Sequence, residues 1–406
     1  MEQNYKIAII GLGYVGLPLA ISFSKNYETI GYDININRIN ELNSINNTNS
    51  SVFFTNYPKD ISDANIYIVT VPTPVNSNNL PDLSFLESSS KLVATFLKKD
   101  DIVIYESTVY PGVTEDFCVP ILENHSNLKY NFDFYCGYSP ERINPGDKSK
   151  SLKNIVKITS GSNKRIAKII DDLYNRIIEA GTYQASSIKV AEASKVVENV
   201  QRDVNIALMN ELAMMFDKLD IPIKDVIEAA KTKWNFIDFK PGLVGGHCIG
   251  IDPYYLIFKS KQSGYIPNLI NSSREINNYV PKFIVKKTKD ILLSKNKILN
   301  SCNILILGYS FKENCQDTRN TKVEDILIGL EDLDCSVDIY DPVIKKNHNN
   351  LVDNPFKISK KYDAIIVAVA HNEFYNYTIN DFNDISKENL VLLDIKGIYN
   401  FSTWTL

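Results

Sequence analysis

The six cysteines of this 406-residue chain, Cys118, Cys136, Cys248, Cys302, Cys315 and Cys335, include no C-x-x-C pair. That scatter argues against a metal site or a disulfide framework and fits a reducing compartment. No apolar run reaches the roughly 18–20 residues of a membrane span. The opening MEQNYKIAIIGLG has no charged n-region and no small-residue cleavage site, so no signal peptide is expected and the chain reads as cytoplasmic. A net charge of −4 without a basic block argues against a general nucleic-acid binder. There is no short-period repeat. With 44% hydrophobic and 23% charged residues the chain can build large cores, and its length suggests two or three domains.

Short apolar runs alternate with helical stretches, which predicts an α/β fold with parallel sheets. KIAII (6–10), TIGYDIN ending near Asp33, IYIVTVPTPV, DIVIYESTV and FDFYCG read as buried strands, and LPLAISFSKN as a helix. The asparagine- and serine-rich segments 43–51 and 76–82 read as surface loops. From Lys189 to Leu219 there is no Gly or Pro, and Val190, Ala193, Val197, Val200, Val204, Leu208, Leu212, Met215 and Leu219 recur at helical spacing. A helix of that length, roughly 45 Å at 1.5 Å per residue, joins domains or forms a dimer seam. Residues 221–290 read as mainly helical around a loop at 240–253. NILILG, VDIYDP, DAIIVAVA and LVLLDI then predict a second strand set from about Ser301. The expected architecture is two Rossmann-like doubly wound domains joined by the long helix and a helical middle.

The run Gly11-Leu12-Gly13-Tyr14-Val15-Gly16 follows a strand and opens a helix. In a dinucleotide-binding turn the first glycine makes the bend, the second lets pyrophosphate approach, and the third allows helix–strand contact. The helix N-terminus offers unpaired N–H groups to the phosphates. Asp33, about 20 residues on, can accept ribose hydroxyls and repel a 2′-phosphate, which favours NAD; Arg38 nearby would suit such a phosphate. No second G-x-G-x-x-G follows the strand at 304–308.

In VGGHCIGIDPYYL (244–256), Gly245, Gly246 and His247 precede Cys248, and Asp252 lies four residues after it. Glycines admit a tight turn or a close neighbour. The pattern alone fits either a structural cysteine or a nucleophilic thiolate, and His247 either tunes the thiol or fills the turn. Lys195 and Asn199 are four residues apart and share a helix face. Thr108 in ESTVYPG and Glu141 in GYSPERINPG follow strands, where α/β sheets bind ligands. Thiol, lysine, amide, carboxylate and NAD are together suited to oxidising an alcohol through a thiohemiacetal and a thioester. Lys312 and Arg319 follow the strand ending at Gly308 and suit phosphate groups.

GLGYVGLPLA, VPTPV, ESTVYPG, SPERINPG, SKVVEN, GGHCIGIDPYYL and FKENCQDTRNT occur in one order along nearly the whole chain. In these motifs the chain resembles the UDP-glucose/GDP-mannose dehydrogenases. The resemblance implies an NAD-binding domain over 1–185, a central helical domain over 186–298 and a UDP-sugar-binding domain over 299–406. It implies that Cys248 forms the thioester, that Lys195 and Asn199 stabilise the oxyanion, and that Asp252 handles protons through water. Glu141 and Thr108 would position water, and Thr73 and Thr108 would touch the cofactor. Arg142, Gly245, Phe311, Lys312 and Lys396, together with Glu141, Lys195 and Asn199, would touch the sugar nucleotide, and Arg319 would reach the cofactor. The glycines would let the sugar nucleotide pass close to the backbone. A homodimer on the long helix is implied as well. Relatives acting on UDP-glucose carry a C-x-P-K-D type run, whereas this chain has Cys248-Ile249-Gly250-Ile251-Asp252. That departure resembles the branch acting on UDP-N-acetylhexosamines (UDP-GlcNAc or UDP-GalNAc), which supplies surface polysaccharides. UDP-glucose, UDP-ManNAc and GDP-mannose are the alternatives.

Overall fold

The computed structural model describes residues 5–44, 51–142, 152–344 and 348–406. Most of the expected loop at 43–51, and residues 143–146 of the SPERINPG stretch, lie outside them. The chain forms two compact units. One comprises the described residues up to Glu198 together with Tyr254–Tyr265; the other comprises Asn199–Pro253 together with Ile266–Leu406. The segment read as a central domain is thus shared between the two.

In the first unit the elements run β1 (Lys6–Ile10), α1 (Gly16–Phe23), β2 (Glu28–Tyr32), α2 (Ile36–Ser44), β3 (Phe53–Thr55), β4 (Ile66–Val69), α3 (Ser84–Ala94), β5 (Ile102–Tyr105), α4 (Val119–Ser126), β6 (Tyr135–Tyr138), β7 (Lys157–Thr159), α5 (Lys164–Asn175) and β8 (Thr182–Gln184). Six strands pair in the order β3-β2-β1-β4-β5-β6, and β7 and β8 form a separate pair. Every pairing in the large sheet is parallel. This is the doubly wound order with its switch point between β1 and β4. Side chains alternate across the sheet: Ile7 and Ile9 pack with Leu19, Phe23 and Ile170, while Ala8 and Ile10 pack with Leu86, Val93 and Leu122. Burial on both faces explains why these strands read as continuous apolar runs. β4 ends before Pro72 and Pro74, which have no N–H for a ladder.

The helix α6 (Ile188–Lys218) begins in the first unit and continues in the second from Asn199. Next come α7 (Ile223–Ala230), α8 (Asp252–Gln262), α9 (Asn268–Ser294), β9 (Asn303–Leu307), α10 (Val323–Glu331), β10 (Ser336–Tyr340), β11 (Ala364–Val367), α11 (Ile379–Asp384), β12 (Leu392–Asp394) and β13 (Trp404–Thr405). The second sheet has the order β10-β9-β11-β12-β13, all parallel, with its switch point between β9 and β11. Met209 and Ala213 of α6, Ile223 and Ile227 of α7, Ile284 of α9 and Ile326 of α10 pack on one face; Phe374, Phe382 and Tyr399 pack on the other. Among the described residues no helix is long and apolar enough to cross a membrane.

Candidate active site

The turn after β1 has the geometry its glycines predict. Gly11 has φ +95°, a left-handed conformation that L side chains rarely adopt. A Cβ on Gly16 would lie 1.9 Å from the Gly11 carbonyl oxygen, so only glycine lets α1 start against β1; a Cβ on Gly13 would meet nothing within 4 Å. The open side of Gly13 is the surface a pyrophosphate would approach, and on that fit the turn can hold NAD. Asp33 Oδ2 accepts from the Leu12 N–H at 2.8 Å, and Oδ1 from Asn35 N–H at 2.9 Å. Arg38 is engaged: its Nε donates to the Leu12 carbonyl at 3.1 Å and its Nη1 pairs with Glu41 at 2.8 Å. It therefore braces the glycine turn. Thr73 Oγ1 donates to the Thr108 carbonyl at 2.6 Å and joins the segments after β4 and β5.

Glu192, which the sequence reading did not single out, fastens the loop beyond Thr108. Its carboxylate, fully buried on α6, accepts from Gly112 N–H at 2.5 Å and Thr114 N–H at 2.8 Å. Burial pushes its carboxyl up to about 7 against those amides. Two more charged groups were missed. Glu106, directly after β5, is 0% exposed at its side chain, and Lys157 of β7 is 3% exposed; they pair at 2.6 Å. Lys157 Nζ also lies 3.4 Å from Glu141. The signal for Glu106 was a charge abutting a short apolar strand, which is rare without a partner. Arg142 pairs with Glu198 at 2.8 Å. Lys195 is buried at 8% exposure, which agrees with its place beside the apolar stripe of α6.

In the second unit, Asn199 Nδ2 donates to Asp252 Oδ2 at 2.5 Å, and both residues are buried. The Cys248 carbonyl accepts from Asp252 N–H at 2.8 Å and Ile251 N–H at 3.1 Å, so the turn carrying the thiol leads straight into α8. Of the six cysteines, five are buried and Cys248 is exposed. The glycines before it are filled from one side by the chain itself, where the sequence reading expected the sugar nucleotide. A Cβ on Gly245 would lie 2.6 Å from the Asn320 carbonyl oxygen, and one on Gly246 (φ +79°) 2.6 Å from the Phe311 ring. The close neighbour is thus the loop after β9, which carries Phe311 and Lys312, and the two loops form one packed body.

That loop is internally fixed. His247 Nε2 lies 3.4 Å from Asp317, whose carboxylate also takes the Arg319 guanidinium at 2.6 Å. Burial lowers the pKa of His247, as does the Arg319 charge. Burial would raise Asp317, but its bonds to Arg319 hold it below the usual carboxylate range. Lys312 Nζ sits 5.5 Å from the centre of the Phe311 ring, and Lys396 pairs with Glu313 at 3.0 Å. At the foot of the loop Gly308 has φ +89°, and Asp341 Oδ2 accepts from Tyr309 N–H at 2.7 Å. This repeats the Gly11–Asp33 arrangement. Here, however, the buried His371 packs against the aspartate: Nε2 lies 3.0 Å from Asp341 Oδ2, while Nδ1 accepts from Asn314 N–H at 3.0 Å. Asp341 is thus buried beneath His371, whereas Asp33 is half-buried and open to a ribose.

Residues 5–178 match the NAD-binding domain of the UDP-glucose/GDP-mannose dehydrogenase family, 189–279 its central domain and 305–401 its UDP-binding domain. The chain is 48% identical over 412 residues to a UDP-N-acetyl-D-glucosamine 6-dehydrogenase of Salmonella typhi, covering 98% of this chain and 97% of that one. It is 47% identical to a protein of the same name from Pseudomonas aeruginosa, covering 97% of each. Among solved structures it is similar to the UDP-D-ManNAc dehydrogenase of Pyrococcus horikoshii, with TM-score 0.90, 30% identity and 98% of each chain covered. The glycine turn, the exposed thiol and the clamped loop after β9 thus stand in a chain that belongs to the UDP-glucose/GDP-mannose dehydrogenase family, the NAD-dependent nucleotide-sugar dehydrogenases.

Proposed function

We propose that this chain oxidises the C6 hydroxyl of UDP-GlcNAc or UDP-GalNAc to the carboxylate, with Cys248 as the covalent nucleophile. The observation that carries the nucleophile is the exposure of Cys248 beside five buried cysteines. The sugar assignment rests on near-full-length likeness to relatives named for UDP-N-acetyl-D-glucosamine.

NAD, held by the Gly11–Gly16 turn and Asp33, supplies the oxidising equivalents for both steps. The residues of the chain do the rest. In the first step C6 becomes an aldehyde and its hydroxyl proton leaves through a water held by Asp252. The thiolate of Cys248 adds to the aldehyde carbon, and the oxygen takes negative charge that the Lys195 ammonium and Asn199 amide stabilise. A sulfur one turn before the N-terminus of α8 lies where a helix favours negative charge. Loss of a second electron pair from that carbon gives the thioester. Water, positioned by Glu141 and Thr108, adds to the carbonyl, the C–S bond breaks, and the carboxylate leaves with the thiolate restored. Phe311, Lys312, Gly245, Arg142 and Lys396 bind the sugar nucleotide, and Arg319 contacts the cofactor.

The reading includes a cytoplasmic homodimer that supplies surface-polysaccharide synthesis. Val190, Val197, Leu208, Met215 and Leu219, spaced to share one face of α6, are each 45–58% exposed. A stripe of that kind on a long helix suits a second copy of the chain.

The test is to count NADH formed per sugar consumed across a panel of UDP- and GDP-sugars. About two NADH with UDP-GlcNAc or UDP-GalNAc is expected. Two with only UDP-glucose, UDP-ManNAc or GDP-mannose overturns the sugar assignment, and one with every sugar overturns the covalent route. Cys248→Ser should lose turnover and keep NAD binding, measured by calorimetry.

A further inference from the structure

We propose that Lys157 is a positioning residue for Glu141, and that Glu106 sets how strongly Lys157 holds it. The inference rests on the reading of Glu141 as the residue that positions the hydrolytic water.

The geometry is a buried chain of charges. Lys157 Nζ lies 2.6 Å from Glu106 Oε2 and 3.4 Å from Glu141 Oε2. The other Glu106 oxygen accepts from the Tyr174 hydroxyl of α5. The other Glu141 oxygen accepts from Arg142 N–H at 2.6 Å. Arg142 itself is held by Glu198 and by the Val156 carbonyl at 2.8 Å. The charged and titratable groups that the described residues bring to this cluster include Lys157 from β7, Glu106 after β5, Tyr174 from α5, Arg142 on the loop of Glu141 itself and Glu198 of α6.

One ammonium shared by two carboxylates needs a reason. A buried lysine is neutralised by one carboxylate, and a second leaves the cluster one charge negative, which burial opposes. The unequal distances supply the reason. Glu106 takes the short bond and fixes the ammonium, while Glu141 feels it at the longer distance. Glu141 is thereby oriented toward the ammonium without the short bond that Glu106 makes. Burial lowers the basicity of Lys157, but Glu106 and Glu141 outweigh it and hold Lys157 protonated. Burial raises the Glu106 carboxyl, and the Lys157 ammonium pulls against that rise.

Two variants push Glu141 in opposite directions. Lys157→Met removes the cation, so Glu141 should hold its proton more tightly, and the acid limb of the kcat–pH profile should move to higher pH by about one unit. Water attack should slow, and intact-protein mass spectrometry should detect the Cys248 thioester accumulating. Glu106→Gln keeps the shape and removes a like charge, so the acid limb should move to lower pH without that accumulation. General structural damage would not move the two limbs apart. Shifts of the same sign, or unshifted limbs with reduced kcat, overturn the inference. If Lys157→Met does not fold, an unshifted or raised limb for Glu106→Gln overturns it alone. Glu141→Gln separates the two levels. Without thioester accumulation in that variant, the reading of Glu141 itself fails; with it, but with unshifted limbs in the other two, only the role of Lys157 fails.

Discussion

Gly246 shows how a single residue ties stability to the site. Its φ of +79° and the 2.6 Å approach of the Phe311 ring leave no room for a methyl group. Gly246→Ala should therefore cost about 1–3 kcal/mol through strain and overpacking, visible as a lowered melting temperature. Because the clash pushes on Phe311, KM for the UDP-sugar should rise while KM for NAD stays near wild type. An equal rise in both would separate Gly246 from substrate binding. The close approach was legible in the sequence from the paired glycines, but its partner was not. Asn320 and Phe311 lie more than sixty residues away, and only the packed fold brings them to the turn. The pairing of Glu106 with Lys157 was illegible for the same reason: the two charges are fifty-one residues apart in the sequence.

The two switch-point turns illustrate the scale of elements. β1 with β2 and β9 with β10 each place a left-handed glycine at a strand end and an aspartate to clamp the following amide. Burial would raise Asp341, but His371 and the Tyr309 and Ser310 amides overcome this and hold its carboxyl down at about 2. Its folded pKa lies below the ordinary value of 3.8. The ionised carboxylate thus adds stability above roughly pH 4 and loses it as pH falls through about 2. The shift corresponds to about 2 kcal/mol. Asp341→Ala should be destabilised relative to wild type at neutral pH, and that gap should narrow as unfolding is measured toward pH 2. A constant gap would mean that the aspartate acts by shape alone. The strands flanking these turns were readable because both faces are buried and their sequences are uniformly apolar. β3, β7 and β8 were not, since each has three residues and β8 is largely exposed.

For the whole molecule, the long helix was the clearest prediction of the sequence, and it is present as Ile188–Lys218. Its apolar stripe was less simple than the periodicity suggested, because a helix of this length packs on more than one side. Val200, Ala207, Met209 and Ala213 are buried within the protomer, whereas Leu208, Met215 and Leu219 face outward at 49%, 45% and 58% exposure. Isolated exposed apolar residues are ordinary, but a stripe that repeats along one helix face is a surface that water disfavours. Replacing Leu208 and Met215 together by glutamate would bring four like charges into a two-fold interface and bury them unpaired. That cost exceeds what such a stripe gains, so the variant should sediment as a monomer under conditions where the wild type sediments as a dimer. Its intrachain cores lie on the other faces of α6, so its circular dichroism should remain that of the folded protein. A wild type that is monomeric at micromolar concentration would overturn the proposed homodimer, and a double variant that remains dimeric would place the self-association surface elsewhere.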